Sequence, residues 1–175
     1  MSKPIITDYP ANFAGYINQV PEDDLEQAFF NQREILPVFF LSITEEKSLF
    51  TYAEGKWTLR EMLQHIIDAE RIFNYRALCI SRKESVSLPS FDENIYAANS
   101  HANKRSWQSL VDEFFHVRIS SEDLYKSFTD EMLVQKGMAN YKPINVVSIG
   151  FITVGHIYHH KKIIEQRYFG LTVPV

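Results

Sequence analysis

Apolar residues recur at helical spacing in four stretches of the chain, and each stretch predicts an amphipathic helix. In the first, Leu25, Phe29, Gln32, Leu36, Phe39, Phe40 and Ile43 follow Pro21 and the acidic run Glu22, Asp23 and Asp24, which suits a helix N-terminus. Pro37 interrupts that pattern and predicts a kink. In the second, Leu59, Met62, Leu63, Ile66, Ala69, Ile72, Phe73 and Ala77 form a broad stripe opened by a capping box between Thr58 and Glu61. The third carries Trp107, Leu110, Val111, Phe114, Val117, Arg118 and Ser121, continued by Leu124, Tyr125 and Phe128. The fourth begins at Asn145 and stops near Phe169 and Gly170, where glycine supplies a left-handed cap. Its Ile149, Thr153, His156, Ile157, His160, Ile163, Ile164 and Arg167 share one side.

The intervening segments lack this period. Residues 1 to about 21 hold Pro4, Pro10 and Pro21 and predict an arm over the domain, anchored by Tyr16, Ile17 and Val20. Lys83 to about Asn103 is a long connection broken by Pro89, with room for a short helix over Asp92 to Ala98. Phe128 to Lys142, with Gly137 and Asn140, predicts a short irregular lid. No strand-like alternation appears. The expected fold is therefore all-α, an antiparallel four-helix bundle with a long crossover between helices two and three, forming one domain over residues 1–175.

Composition narrows the function. The 175 residues are 45% hydrophobic and 14% aromatic, enough for one sizeable core. Net charge is -4, with Lys+Arg 18 against Asp+Glu 22 and no basic patch, so a nucleic-acid partner is not expected. Cys79 stands alone, which excludes an intramolecular disulfide, and the N-terminal MSKPIITDYP has no apolar leader, so a cytoplasmic location is expected. Pro143 to His160 holds no Asp, Glu, Lys or Arg, but its Asn, Ser, Thr and His content is too polar for a membrane span. Phe151 and Tyr158, assigned to the outer side of helix four, suggest a homodimer face.

The chemistry concentrates on the fourth helix. His156 and His160 are one turn apart in the middle of an apolar stripe, a setting that excludes imidazoles unless they are hydrogen-bonded or hold something. Imidazole nitrogen suits zinc, nickel and similar cations, and a bundle builds such sites from facing helices. His65 on helix two lies in a column with Ala69, Ile72 and Arg76, on a flank that faces the bundle, and is the candidate third ligand. The competing reading is a set of core histidines bonded to backbone carbonyls or tyrosines. His159 falls beside Lys161 and Lys162, off the centre of the stripe, as a surface or supporting residue. His101 reads as a cap in the crossover and His116 as a residue on the polar side of helix three. The residues between His156 and His160 are Ile157, Tyr158 and His159, so the glutamate of a His-Glu-Xaa-Xaa-His protease is absent.

Several runs together resemble the DinB-like (YfiT-like) superfamily of metal-dependent proteins. They are Gly55-Lys56-Trp57-Thr58-Leu59-Arg60-Glu61 leading to His65, Asp68-Ala69-Glu70-Arg71, Leu88-Pro89-Ser90-Phe91-Asp92, and Gly155-His156 with His160. The resemblance implies a four-helix bundle holding a divalent metal, nickel or zinc, on His65, His156 and His160. It also implies chemistry related to bacillithiol S-transferases, a mycothiol-dependent isomerase and metal-dependent hydrolases. The leading expectation is a metal-dependent thiol S-transferase taking a small-molecule thiol and an electrophile; the alternatives are a non-catalytic binding protein and a hydrolase. Arg76 is a candidate anion anchor, its competing reading a surface salt bridge. Glu70 and Asp92 are further pocket candidates, with a helix-surface ion pair and a helix cap as their plainer readings.

Overall fold

In this computed structural model, which describes residues 1–171, a one-turn helix α1 (Ala14–Ile17) lies within the arm. The elements that follow are α2 (Leu25–Leu41), α3 (Leu59–Ser81), α4 (Glu93–Asn99), α5 (Trp107–Lys126) and α6 (Asp130–Val134). A hairpin of β1 (Lys136–Ala139) and β2 (Lys142–Asn145) then leads into α7 (Val146–Ile163). The last four residues of the expected 1–175 domain lie outside the described residues. Each long helix opens on a side chain that accepts from its free amides: Asp24 from Gln27 N, Thr58 from Glu61 N, Ser106 from Ser109 N and Asn145 from Ser148 N. Thr58 and Glu61 form the expected capping box. Helix α2 continues through Pro37 to Leu41, and α7 passes through a π-helical turn, Ile164–Tyr168, to Gly170 at φ 68°.

The four long helices are α2, α3, α5 and α7. Around the bundle, α2 packs on α7 and α5, and α3 packs on α7 and α5, so α2 and α3, consecutive in the chain, sit across a diagonal. The expected antiparallel packing holds for α3 with α7, where Phe73 meets His156 and His65 meets His160, and for α2 with α5, where Phe29 meets Tyr125 and Phe40 meets Trp107. The other two pairs run parallel. Along α3 and α5 the contacts rise together, from Arg71 with Glu113 to Asn74 with Ser121. The crossover explains this, because residues 82–106 carry the chain back along the bundle before α5 begins.

Two apolar clusters fill the interior. One holds Leu25, Phe29, Phe73, Ala77, Tyr125, Phe151 and Ile152; the other holds Leu36, Phe40, Leu63, Ile66, Phe114 and Ile157. On each helix a buried polar residue marks the division between them: Gln32 on α2, Glu70 on α3, Arg118 on α5 and His156 on α7. Gln32 Nε2 donates to Val154 O at 2.8 Å. Arg118 Nη2 donates to Glu70 at 2.9 Å, and Ser121 donates to the other Glu70 oxygen. The Arg118 guanidinium lies 5.0 Å from the Phe29 ring and 5.6 Å from the Phe114 ring, one from each cluster. Burial pushes the Glu70 carboxyl up, and the adjacent Arg118 opposes that shift.

Three expectations change. Glu70 is not in a helix-surface pair, because it faces α5 and is 1% exposed. Phe151 does not lie on an outer face; it is fully buried and Tyr158 half-buried, since α7 is covered by α1, α2 and α3. The lid is a short helix and a hairpin rather than irregular chain. Its turn places Asn140 and Tyr141 both at positive φ, 50° and 58°, and without glycine at the second position the sequence gives only a weak hairpin signal. Leu88 N donates to Met138 O and Asn140 N to Leu88 O, so the crossover pairs with the hairpin. Among the described residues no helix is long and apolar enough to cross a membrane.

Replacing Arg118 by Met leaves Glu70 buried and unpaired and should cost about 3–5 kcal/mol. Adding Glu70→Leu should recover most of that loss, measured by urea unfolding at pH 7. A double variant no more stable than the single one would show that the pair's charge is not what matters.

Candidate metal centre

The antiparallel contact between α3 and α7 sets His65 against His156 and His160. His65 Nε2 lies 3.1 Å from His156 Nε2, and His160 Nε2 lies 2.9 Å from the same atom. All three rings are buried, and one ligand nitrogen from each falls within 4.8 Å of the others. His156 and His160 project from one face of α7 as the one-turn spacing predicts, and Phe73 closes on the His156 ring at 5.8 Å. Trp57, immediately before the capping box of α3, lies 5.0 Å from the His65 ring.

The donor set fits a divalent cation. Neutral imidazoles offer one N–H and one lone pair each, so three Nε2 atoms converging on one another cannot all be satisfied among themselves. His160 Nδ1 is also buried without a hydrogen-bond partner. A tetrahedral cation with nitrogen at 2.0–2.1 Å separates its ligand atoms by about 3.3 Å, within a few tenths of the two spacings to His156 Nε2. Burial is the main cause that holds all three rings neutral: His65 is lowered to about 4, and His156 and His160 fall well below the usual imidazole range, pushed further by their histidine neighbours. A ring already neutral at pH 7 needs to release no proton to ligate.

The histidines open onto a cavity of about 410 Å³. Its apolar walls include Phe73, Ile149 and Ile152, and its polar lining includes Tyr16, Arg76, Glu93, Lys142 and His159. The arm enters the site through a close approach. A Cβ on Gly155 would lie 2.1 Å from the Tyr16 carbonyl oxygen, so only glycine lets α1 sit against α7 there. Tyr16 consequently packs edge-on against His156 at 5.4 Å and against His159 at 5.2 Å. Burial, with the Glu93 charge adding to it, raises the Tyr16 phenol and keeps it protonated.

Of the residues expected in the site, His65, His156, His160 and Arg76 come together at the cavity, and His159 stands at its edge. Arg76 is buried and donates to Pro89 O, so it is not in a surface salt bridge. Glu70 is taken up by Arg118. Asp92 caps α4 through the amides of Asn94 and Ile95, and the neighbouring Glu93 lines the cavity in its place. His101 precedes a short turn, and Ser106, not His101, caps α5. Tyr16, Glu93 and Lys142 were not singled out as site residues in the sequence, because each lies in the arm, the crossover or the hairpin, where no period shows which way a side chain faces.

The sequence model of the DinB superfamily matches residues 14–164. A protein of Oceanobacillus iheyensis described as a "putative metal-dependent hydrolase" is 31% identical over 62 residues, 35% of this chain and 36% of that protein. The match thus spans about a third of that relative's length. Among solved structures, YfiT from Bacillus subtilis, described as a "probable metal-dependent hydrolase with an unusual four-helix bundle topology", superposes with a TM-score of 0.69 at 16% identity, covering 97% of this chain and 94% of that one.

Two outcomes follow from the geometry. As pH falls from 6.5 toward about 4, the unfolded chain takes up a proton on His65 that the folded ring refuses. Stability of the metal-free protein should therefore drop across that window, by on the order of 3 kcal/mol from this ring alone. Thermal melts at pH 7, 5.5 and 4.5 check it, and His65→Gln should make the dependence shallower by that share, with His156 and His160 still contributing to the loss. Gly155→Ala should displace the arm from α7, read as faster proteolysis within residues 1–20 and altered His156 ring resonances.

Proposed function

The chain belongs to the DinB superfamily, and from that premise we propose that it is a metal-dependent hydrolase of small molecules in which His65, His156 and His160 hold one divalent cation, nickel or zinc. The observation that carries this reading is the convergence of three neutral Nε2 atoms on the wall of a cavity. A divalent cation there supplies Lewis acidity, polarising a carbonyl and lowering the proton affinity of water.

The chain's own residues do the rest. Phe73, Ile149 and Ile152 exclude bulk water from the inner part of the cavity and so strengthen electrostatic interactions inside it. Glu93, exposed on α4 yet lining the cavity, offers a carboxylate that accepts a proton near the mouth. Tyr16, held in its neutral form beside His156, offers a phenol donor to a substrate oxygen. Trp57 and Phe73 restrict the rings of His65 and His156, which helps keep the ligand set in place. The thiol S-transfer expected from the resemblance would use the same histidines. Hydrolysis is preferred because both similar proteins carry that description.

Protein purified without a histidine tag should bind close to one equivalent of nickel or zinc. His156→Ala should weaken that binding by more than about 100-fold, read by competition with a fluorescent chelator. Less than about half an equivalent bound, unchanged by the substitution, would remove the centre. A panel of small activated esters and amides should be hydrolysed by the loaded protein and not by His156→Ala. Conjugation of monochlorobimane to added thiols, without hydrolysis of the panel, would replace hydrolase by transferase.

A further inference from the structure

The cavity has two chemically different ends. On α3, His65, Ala69, Phe73 and Arg76 all line it, at the i, i+4, i+8, i+11 spacing of a single helix face. The helix rises roughly 16 Å between positions 65 and 76. Both side chains lean toward the helix N-terminus, the longer arginine further, so the guanidinium and the imidazoles stand on the order of 10–16 Å apart. Between the two ends lies an apolar strip of Ala69, Phe73, Ile149 and Ile152.

Arg76 differs from the other buried arginines. Arg60 pairs with Glu45 and Arg118 with Glu70, so each buried guanidinium has a carboxylate. Arg76 is only 8% exposed, yet its recorded hydrogen-bond partner is a neutral group, the Pro89 carbonyl, reached by Nη2 at 2.6 Å. Its Nε is buried with no partner. Burial disfavours its charged form, and among the described residues no carboxylate offsets that effect. A buried, uncompensated cation on a cavity wall is costly to keep and is stabilised by any anion that enters. Lys142 of β2 lines the same cavity, and Glu93 is the carboxylate that lines it, leaving one net positive charge on its lining side chains.

We propose that Arg76, assisted by Lys142, seats the carboxylate of a small substrate that lies along the apolar strip with its labile bond at the histidines. The position of the labile bond rests on the hydrolase reading; the carboxylate seat stands on Arg76 alone. A planar guanidinium fork matches a carboxylate, and the one net positive charge on the lining side chains, counted apart from the cation the histidines would hold, suits a monoanion at the Arg76 end. The substrate class is thus a monocarboxylate with an apolar spacer between its acid group and the bond that is hydrolysed.

The test needs no turnover. Calorimetric titration of the full chain, metal-loaded and EDTA-treated, would use 4-phenylbutyrate, its neutral amide 4-phenylbutanamide, and 3-phenylpropylphosphonate. The acid should bind at least about 10-fold more tightly than the amide in both states of the protein. Arg76→Gln should erase that preference and leave amide affinity within about twofold, whereas Lys142→Ala should reduce both the preference and its salt dependence. Equal binding of acid and amide by the unsubstituted protein overturns the proposal. So does an acid preference that survives Arg76→Gln and vanishes with EDTA, which would put the carboxylate on the metal. An equal loss of acid and amide binding in Arg76→Gln, with a lowered melting temperature, would reduce Arg76 to a tether for the crossover if Lys142→Ala also left the preference unchanged. Phosphonate bound more tightly than carboxylate would overturn the choice of anion. Failure of the esterase panel leaves each of these readouts intact, so the two readings fail separately.

Discussion

A charged pair buried at mid-height, Glu70 with Arg118, fixes how the helices of this bundle can slide past one another. Such a pair adds little net stability over apolar packing, but pulling it apart in the interior costs several kcal/mol. Displacement of α5 along α3 by one turn would separate the two charges and withdraw Ser121 from Glu70. On the other side of the bundle, Gln32 reaching the Val154 carbonyl pins α2 to α7. Trp107 Nε1 donating to Phe40 O at 3.0 Å ties α5 to α2, and with all three contacts fixed the height at which α3 meets α7 is fixed too, which brings His65 level with His156 and His160. The division of the core into two clusters is the visible consequence.

Much of this was legible from periodicity. The stripe on α7 placed His156 and His160 on one face, the capping box located the start of α3, and the column containing His65 and Arg76 pointed to one cavity. A stripe does not say how many neighbours a helix has, however. Phe151 and Tyr158 read as outward-facing because a surface helix has one apolar side, whereas α7 is packed on several sides. Glu70 misled for a related reason. A lone carboxylate on a helix suggests solvent, and only its partner, far away in sequence, reveals a buried pair. The direction of α5 depended on the path of the crossover, which has no period to read.

The centre is assembled from two kinds of material. Its three imidazoles stand on long, well-packed helices, and burial keeps them neutral and ready to donate lone pairs. The walls come from elsewhere: Tyr16 from the arm, Glu93 from the crossover and Lys142 from the hairpin. The crossover and hairpin are bonded to each other through Leu88, Met138 and Asn140, and Arg76 holds the crossover at Pro89. These segments therefore form one connected rim around the cavity rather than independent loops.

The close approach at Gly155 separates two properties that share one cavity. The arm needs only a missing side chain on α7 to dock, and it contributes a wall without contributing a ligand. Changes in the length or composition of the arm, or of the rim opposite it, alter what the cavity admits while the helices go on presenting the same three nitrogens. The metal ligands and the rim of the cavity are thus carried on different parts of the chain, and a lineage built on this scaffold can vary the rim while conserving the three nitrogens.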